Sequence, residues 1–93
     1  MEQVLRTVER IPVGRVVAYG HIAQHLQAGY GPRYVGRIMK LEGHGVTWWR
    51  VVRADGAMNP ELMGEAQVHW LEEGTPVRNG RVDMSAATWE ISD

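Results

Sequence analysis

The sequence predicts a mostly α-helical domain with small β elements, arranged as a winged helix-turn-helix. Two segments with apolar residues at helical spacing, 19–27 and 33–41, are joined by the glycine- and proline-rich loop 29–32, and the second segment carries arginines. Residues 77–82 contain Asn-Gly, which accepts the positive φ angles of a type I′ hairpin turn. The chain has 93 residues, so we expect one domain spanning 1–93.

Three helices are predicted in the first half of the chain. The first covers residues 2–10 and ends at Ile11, because the residue before a proline disfavours the α conformation. Residues 13–17 read as a turn followed by a short extended piece. Pro32 suits the first turn of the helix at 33–41. The inward-facing apolar residues of the three helices are Val4, Leu5, Val8, Ile22, Ala23, Leu26, Val35, Ile38 and Met39.

The second half contains fewer periodic segments. A glycine-rich loop at 42–45 precedes the apolar and aromatic segment 46–52, which we expect to be extended and buried. Asp55-Gly56 predicts a tight turn. A fourth helix is predicted from about Glu61 to Glu73, opened by Pro60 and ended by Gly74.

Charge is divided unevenly along the chain. Residues 1–53 carry eight basic side chains against three acidic ones, a net charge of +5, whereas residues 54–93 carry two against eight, a net charge of −6. This asymmetry predicts a basic working face and an acidic opposite part. Nine of the ten basic residues are arginine, which suits phosphate and base contacts, although a general preference for arginine gives the same count.

The composition argues against several kinds of site. The absence of cysteine rules out disulfides, thiolate metal ligands and a cysteine nucleophile. His21 and His25 share a helix face, but no nearby acid completes a metal site, so we expect no metal and no cofactor. No run approaches the roughly 18 apolar residues of a membrane span, and no charged-then-apolar leader opens the chain. We therefore expect a cytoplasmic protein that does not bind membranes.

Several segments resemble one protein family, in the same order and with similar spacing. Residues 11–20 match the pattern IPxGxVxxYG, and residues 33–36 match RxVG. Residues 47–52 align with PCHRV, and residues 71–74 match a later element that ends in Glu-Gly. The chain thus resembles the O6-alkylguanine-DNA alkyltransferases, whose C-terminal domain has the winged helix-turn-helix fold. Residues 80–83 are similar to the tail of the alkyltransferase-like branch of that family.

The departures from the motif are informative. Trp48 stands where the family has its alkyl-accepting cysteine, and Trp49 where it has the activating histidine. Alkyl transfer needs a thiolate and a group that lowers its pKa, and an indole supplies neither. The alkyltransferase-like branch commonly has tryptophan at the cysteine position and binds O6-alkylguanine without transferring the alkyl group. The resemblance therefore implies a non-enzymatic protein with no catalytic residue. Thr47 and Trp49 depart even from that branch, which usually keeps the proline and the histidine.

The resemblance also assigns DNA contacts. It implies that Arg33 is the finger that fills the space left by a flipped base and that Tyr19 contacts the neighbouring phosphate. Gly36 and Arg37 lie on the same helix, which in this family enters the minor groove. Each residue has a plainer interpretation: Arg33 as an ordinary solvated residue, Tyr19 as a half-buried core aromatic, and Gly36 as a structural glycine.

A pocket for the modified base is implied around the aligned motif. Its predicted members are Tyr19, Trp48, Trp49, Arg50 and Glu73. Adjacent residues of an extended segment point to opposite sides, so we assign Trp48 to the pocket and Trp49 to packing beneath it, although both tryptophans also fit a core role. Arg50 is expected to make internal hydrogen bonds. Glu73 resembles the glutamate that orients the family histidine, and with tryptophan at 49 it is expected to lose that partner.

Three functions remain open on the sequence alone. The first is recognition of O6-alkylguanine in double-stranded DNA by a monomer, through minor-groove binding and base flipping. By resemblance, nucleotide excision repair damage-recognition proteins are the expected partners. The second is a winged-helix transcription regulator that binds a specific DNA site. The third is an enzyme with another nucleophile; Asp55, Glu61 and Glu65 supply carboxylates, but no acid–base pair stands out.

Overall fold

The computed structural model describes residues 2–26 and 31–91. Five α-helices, two two-stranded sheets and two short 3₁₀ turns make up this part of the chain. In chain order they are α1 (Glu2–Glu9), β1 (Val17–Ala18), α2 (Tyr19–Leu26), α3 (Pro32–Glu42), a 3₁₀ turn (Gly43–Gly45), a second 3₁₀ turn (Trp48–Arg50), β2 (Val51–Val52), α4 (Pro60–Glu73), β3 (Val77–Arg78), β4 (Arg81–Val82) and α5 (Met84–Ala87). No helix in the described ranges is both long and apolar enough to cross a membrane.

Helices α1 to α3 pack around a first core cluster, as the apolar spacing predicts. Val4 and Val8 of α1 and Val35 of α3 are fully buried, while Leu5 and Leu26 pack at the edge of the cluster. The buried members of the first core cluster are Val4, Val8, Ile11, Val17, Ile22, Ala23, Val35, Ile38, Met39 and Val51. The three helices in the first half are thus confirmed. Residue 27 and loop residues 29–30 lie outside the described residues.

Helix α4 and the elements after it pack with Val16, Val52 and Met58 around a second core cluster. Gly74 ends α4 with a φ of 70°, and Asn79 and Gly80 turn the β3–β4 hairpin with φ angles of 53° and 80°. Both were predicted from the turn chemistry of these residues, and both are confirmed. The buried members of the second core cluster are Val16, Val52, Met58, Ala66, Trp70, Val82 and Ala87.

A short parallel ladder joins the two halves of the molecule. Val17 pairs with Val51 and Ala18 with Val52, while Val16 forms an isolated bridge to Thr88. The ladder has a functional consequence, because α2 begins directly after β1 and the turn Trp48–Arg50 ends directly before β2. Because the strands run parallel, Tyr19 lies at the end of the ladder where Arg53 follows β2, and the Trp48–Arg50 turn lies at the opposite end.

The prediction that residues 46–52 form one extended, buried segment is wrong in its first part. Only Val51 and Val52 are strand residues, whereas Trp48–Arg50 forms a 3₁₀ turn whose two tryptophans are half-buried. The backbone N–H of Arg50 donates to the carbonyl of Thr47 and closes this turn at 3.0 Å. Adjacent side chains in such a turn do not point to opposite sides, so Trp48 and Trp49 lie next to one another.

Candidate nucleic-acid interface

Helix α3 presents a basic face to solvent. Val35, Ile38 and Met39 are buried and fix the rotation of the helix. Arg33 and Arg37, four residues apart, therefore lie together on the opposite side, and both are exposed. Lys40 extends the row by one turn. The family motif does not include Lys40, although its helical spacing from Arg37 is evident in the sequence. We refer to Arg33, Arg37 and Lys40 as the basic face of α3.

Gly36 lies beside this basic face, at a point where α3 is open. A Cβ atom built on Gly36 meets no protein atom within 4 Å. Packing inside the described protein therefore does not require a glycine here, although glycine weakens a helix interior relative to alanine by about 1 kcal/mol. Of the two roles weighed for Gly36, close approach by an external partner fits the structure better than internal packing.

Tyr19 is the first residue of α2 and packs half-buried against the first core cluster. Burial raises the pKa of its phenol above the ordinary value, and the positive charge of Arg53 opposes part of that rise. The phenol therefore stays protonated at neutral pH and keeps an O–H that can donate to a phosphate oxygen. Arg53 is itself exposed, which adds a cation close to Tyr19.

Trp48 occupies the boundary between the two core clusters and packs partly against both. Its ring meets that of Trp49 edge to face, with centroids 5.7 Å apart. Both tryptophans line an open cleft of about 550 Å³. The other residues that line this cleft are Glu9, His44, Gly45, Val46 and Thr47. Trp48 is thus partly a core residue and partly a cleft wall.

The other predicted pocket residues do not line this cleft. Arg50 is buried and donates to the carbonyl oxygen of Ile11 at 2.8 Å, in agreement with the internal role expected of it. Glu73 pairs with Arg50, and the two lie behind Trp49. Tyr19 lies on α2, apart from the residues that form the cleft.

Glu73 binds three groups, contrary to the expectation that it would lose its partner at position 49. Its carboxylate accepts hydrogen bonds from Arg50 Nη2 at 2.6 Å and Nε at 3.0 Å, and from Trp49 Nε1 at 2.9 Å. The backbone N–H of Gly14 donates a further, longer bond at 3.3 Å. The indole N–H thus supplies a donor at position 49, so a tryptophan there does not isolate the glutamate.

The same contacts decide the charge state of Glu73. Burial by itself would raise the pKa of the carboxyl, but the hydrogen bonds from Arg50, Trp49 and Gly14 outweigh it. The pKa consequently lies below its ordinary value, and Glu73 is ionised at neutral pH. An ionised Glu73 next to a buried guanidinium makes this an internal ion pair that holds the Trp48–Arg50 turn against the C-terminal end of α4.

His69 is a member of this cluster that the sequence reasoning missed. Its ring stacks on that of Trp49, with centroids 3.7 Å apart and an interplanar angle of 6°, and meets Trp48 edge to face at 5.8 Å. Trp49 is further fixed through its carbonyl, which accepts a hydrogen bond from Trp70 Nε1 at 2.8 Å. The available signal was helical spacing, since His69 precedes Glu73 by four residues and shares its face of α4.

The residues described above form surfaces that can bind a ligand. The hydrogen bonds among them do not pair a nucleophilic side chain with a general base. Within the described ranges, no three His, Asp or Glu side chains are grouped to hold a metal ion. Arg33 and Arg37 make no hydrogen bond or ion pair inside the part of the chain that the structure describes, so both guanidinium groups are available to an anion. A cationic helix face and an aromatic cleft together suit a polyanion that carries planar bases.

Comparison with known proteins places this arrangement in a family. Residues 1–74 match the family described as 6-O-methylguanine DNA methyltransferase, DNA binding domain. S. pombe Atl1, in complex with damaged DNA containing O6-carboxymethylguanine, is 26% identical with a TM-score of 0.80, and the match covers 96% of this chain and 93% of that chain. S. pombe ATL in complex with DNA is 25% identical, with the same TM-score and coverage. No curated protein sequence matches the chain. The likeness confirms the predicted winged helix-turn-helix fold.

Proposed function

The chain belongs to the family of the 6-O-methylguanine DNA methyltransferase DNA-binding domain, of the alkyltransferase-like type, and we propose that it binds O6-alkylguanine in duplex DNA without removing the alkyl group. The observation that carries this proposal is the exposed basic face of α3 together with a tryptophan, Trp48, at the position that the sequence resemblance assigns to the family's nucleophile. The protein has no cysteine at any position. Thiolate transfer is therefore impossible, while the surfaces for binding are retained.

The basic face of α3 is the surface we assign to DNA. Arg33, Arg37 and Lys40 supply positive charge in one row, and Gly36 leaves room for a sugar–phosphate backbone to come close to the helix. We propose that α3 enters the minor groove, where reading of base identity is limited mainly to distinguishing A·T from G·C. Weak sequence preference is an advantage for a protein that must find a lesion in any context.

Lesion recognition further requires access to the modified base. A base inside a duplex cannot be inspected while it is stacked, so we propose that the alkylated guanine is flipped out and that Arg33 takes its place in the stack. Tyr19 is proposed to donate its phenolic O–H to the phosphate beside the flipped nucleotide. Trp48 is proposed to form a wall against which the base packs, held by Trp49 and His69.

Binding without repair is useful only when another activity acts on the lesion. We propose that the bound protein marks the alkylated guanine for nucleotide excision repair, whose damage-recognition proteins are then its partners. The support for this step is chemical: the sequence holds no cysteine to accept the alkyl group, so binding alone would leave the lesion in the DNA. A monomer suffices, because one α3 face and one cleft serve one lesion.

The experiment that tests the proposal compares two duplexes that differ only in the O6-methyl group of one guanine. Affinity is measured by fluorescence anisotropy for a duplex with a single O6-methylguanine and for the same duplex with guanine. A second pair of unrelated sequence separates lesion binding from recognition of a specific DNA site. Preference for the lesion in both sequences supports the proposal. Preference for one sequence irrespective of the lesion would instead indicate a transcription regulator.

A further inference from the structure

Helix α4 carries apolar side chains on the face that points away from the protein. Ala66 and Trp70 face the second core cluster and are fully buried. On the opposite side, Gly64, Val68 and Leu71 follow one another at intervals of four and three residues and form a single row. Val68 is 55% exposed and Leu71 is 82% exposed. Apolar residues at helical spacing on a solvent face indicate a surface that another molecule covers.

Gly64 strengthens this interpretation. It lies in the interior of a 14-residue helix, where glycine is unfavourable, and a Cβ at this position meets no atom of the protein within 4 Å. Internal packing among the described residues therefore does not account for the glycine. A residue without a side chain at the start of an apolar row lets a second helix approach the backbone of α4 closely, with Val68 and Leu71 packing beside it.

The charges around the row select its partner. Glu61, Glu65 and Glu72 lie along one side of it, all exposed, and none of them pairs with a cation in the described residues. On the other side, Gln67 donates to the carbonyl of Gly80 at 3.2 Å and keeps the hairpin close to the helix. The row thus has one acidic edge and one edge formed by the hairpin.

We propose that this outer face of α4, consisting of Gly64, Val68 and Leu71 with the three glutamates, docks an amphipathic helix of another protein that carries lysine or arginine along one edge of its apolar face. The glutamates disfavour nucleic acid and an anionic membrane as occupants. An antiparallel two-fold pairing with a second copy would place two rows of glutamates on the same side. The docking surface is separate from the basic face of α3 and does not depend on lesion binding.

The test uses a synthetic helical peptide with leucines along one face and lysines along one flank. Its affinity for the full chain is measured by calorimetry, and the contacted residues are mapped from amide NMR shifts. We expect shifts centred on the outer face of α4. Val68→Ser together with Leu71→Ser should weaken binding about tenfold or more. Val13→Ser together with Leu41→Ser, at two other exposed apolar positions, is the matched control and should leave it unchanged.

Charge is tested separately from apolar contact. Replacing Glu61, Glu65 and Glu72 by glutamine should weaken binding and reduce its dependence on salt. A peptide of the same composition with the leucines distributed around the helix should bind far more weakly. The proposal would be overturned if the two peptides bound equally or if neither bound. It would also be overturned if the NMR shifts centred on α3, or if the variant with serine at Val68 and Leu71 kept its affinity. Sedimentation showing a dimer of the chain that this variant abolishes would overturn it as well.

Discussion

At the scale of single residues, Glu73 at the end of helix α4 holds the Trp48–Arg50 turn. One carboxylate accepts from Trp49, Arg50 and Gly14, residues that are far apart in sequence. Arg50 is almost inaccessible, so its charge depends on this partner for neutralisation. Removing one member of a buried ion pair leaves the other without compensation, which typically costs about 3–5 kcal/mol. We expect Glu73→Gln to lose an amount near the lower end of that range in urea unfolding at neutral pH.

The same carboxylate makes stability depend on pH in a defined direction. Because the pKa of Glu73 is lowered by folding from an ordinary value of 4.5, its contribution to stability is complete well above pH 4.5 and is lost as the pH falls below that value. Urea unfolding between pH 6 and 3 should therefore show a decline that is smaller in Glu73→Gln. An equal decline in both proteins would show that other carboxyls control acid unfolding.

Trp48→Cys would place a thiol at the position that the sequence resemblance assigns to the family's nucleophile, but it would not supply the activating group. A free thiol has a pKa of roughly 8.5, so only a few per cent is thiolate at neutral pH. We predict no efficient transfer of a methyl group to this variant, measured with labelled DNA. We also predict a loss of stability of about 2–3 kcal/mol, less than for a fully buried tryptophan because Trp48 is half-buried.

The double change Trp48→Cys with Trp49→His is the matched comparison. Glu73 already accepts a ring N–H from residue 49, so an imidazole at that position would find its orienting partner in place. Methyl transfer should therefore be faster in the double variant than in the single one. Efficient transfer by the single variant would show that the absence of a histidine at position 49 is not what prevents the reaction.

At the scale of elements, the glycines of α3 and α4 provide a paired experiment. Gly36 and Gly64 both lie inside helices, and a Cβ at either position meets no protein atom within 4 Å. Alanine should therefore stabilise the protein by roughly 0.5–1 kcal/mol in both cases. Gly36→Ala alone should weaken DNA binding, because its methyl group points to the proposed DNA face. Equal DNA affinities of the two variants would remove the role of Gly36 in DNA approach.

Arg33 and the arginines of the β3–β4 hairpin separate a specific contact from general charge. Arg33 begins the basic face of α3, whereas Arg81 is paired with Asp55 at 3.3 Å and Arg78 lies in the acidic half of the chain. If Arg33 replaces a flipped base, Arg33→Ala should cost about 1–3 kcal/mol of binding, as lost stacking does. It should also lower the fluorescence of 2-aminopurine placed next to the lesion. Similar losses from Arg78→Ala and Arg81→Ala would indicate a charge effect only.

The elements differ in how far their own sequence determines them. Helices α1 to α4 and the hairpin were predictable because apolar spacing, Pro60, Gly74 and Asn79-Gly80 act locally. Helix α5 was missed, although Asp83 accepts from the backbone N–H of Ser85 and thereby caps it. The β1–β2 ladder and the stack of His69 on Trp49 join segments distant in sequence, and no local pattern encodes them.

At the scale of the whole molecule, the uneven charge predicts how DNA binding responds to salt. With Arg33 in the base stack, phosphate contacts by Arg37 and Lys40 would give a slope of log affinity against log salt of roughly −2. Arg37→Ala should reduce the magnitude of that slope by about 1 and leave the preference for O6-methylguanine over guanine unchanged. Titrations of both duplexes at several salt concentrations measure both quantities. A flat response would contradict binding through phosphates.

We propose that the protein binds an alkylated guanine and leaves the alkyl group on the DNA. The most direct measurement incubates the protein with a duplex carrying O6-methylguanine with a radiolabelled methyl group, at concentrations where the complex is saturated. We predict that all of the label stays with the DNA after prolonged incubation, since the chain has no cysteine and Trp48 is no nucleophile. Label recovered on the protein, or released as a free product, would contradict the claim.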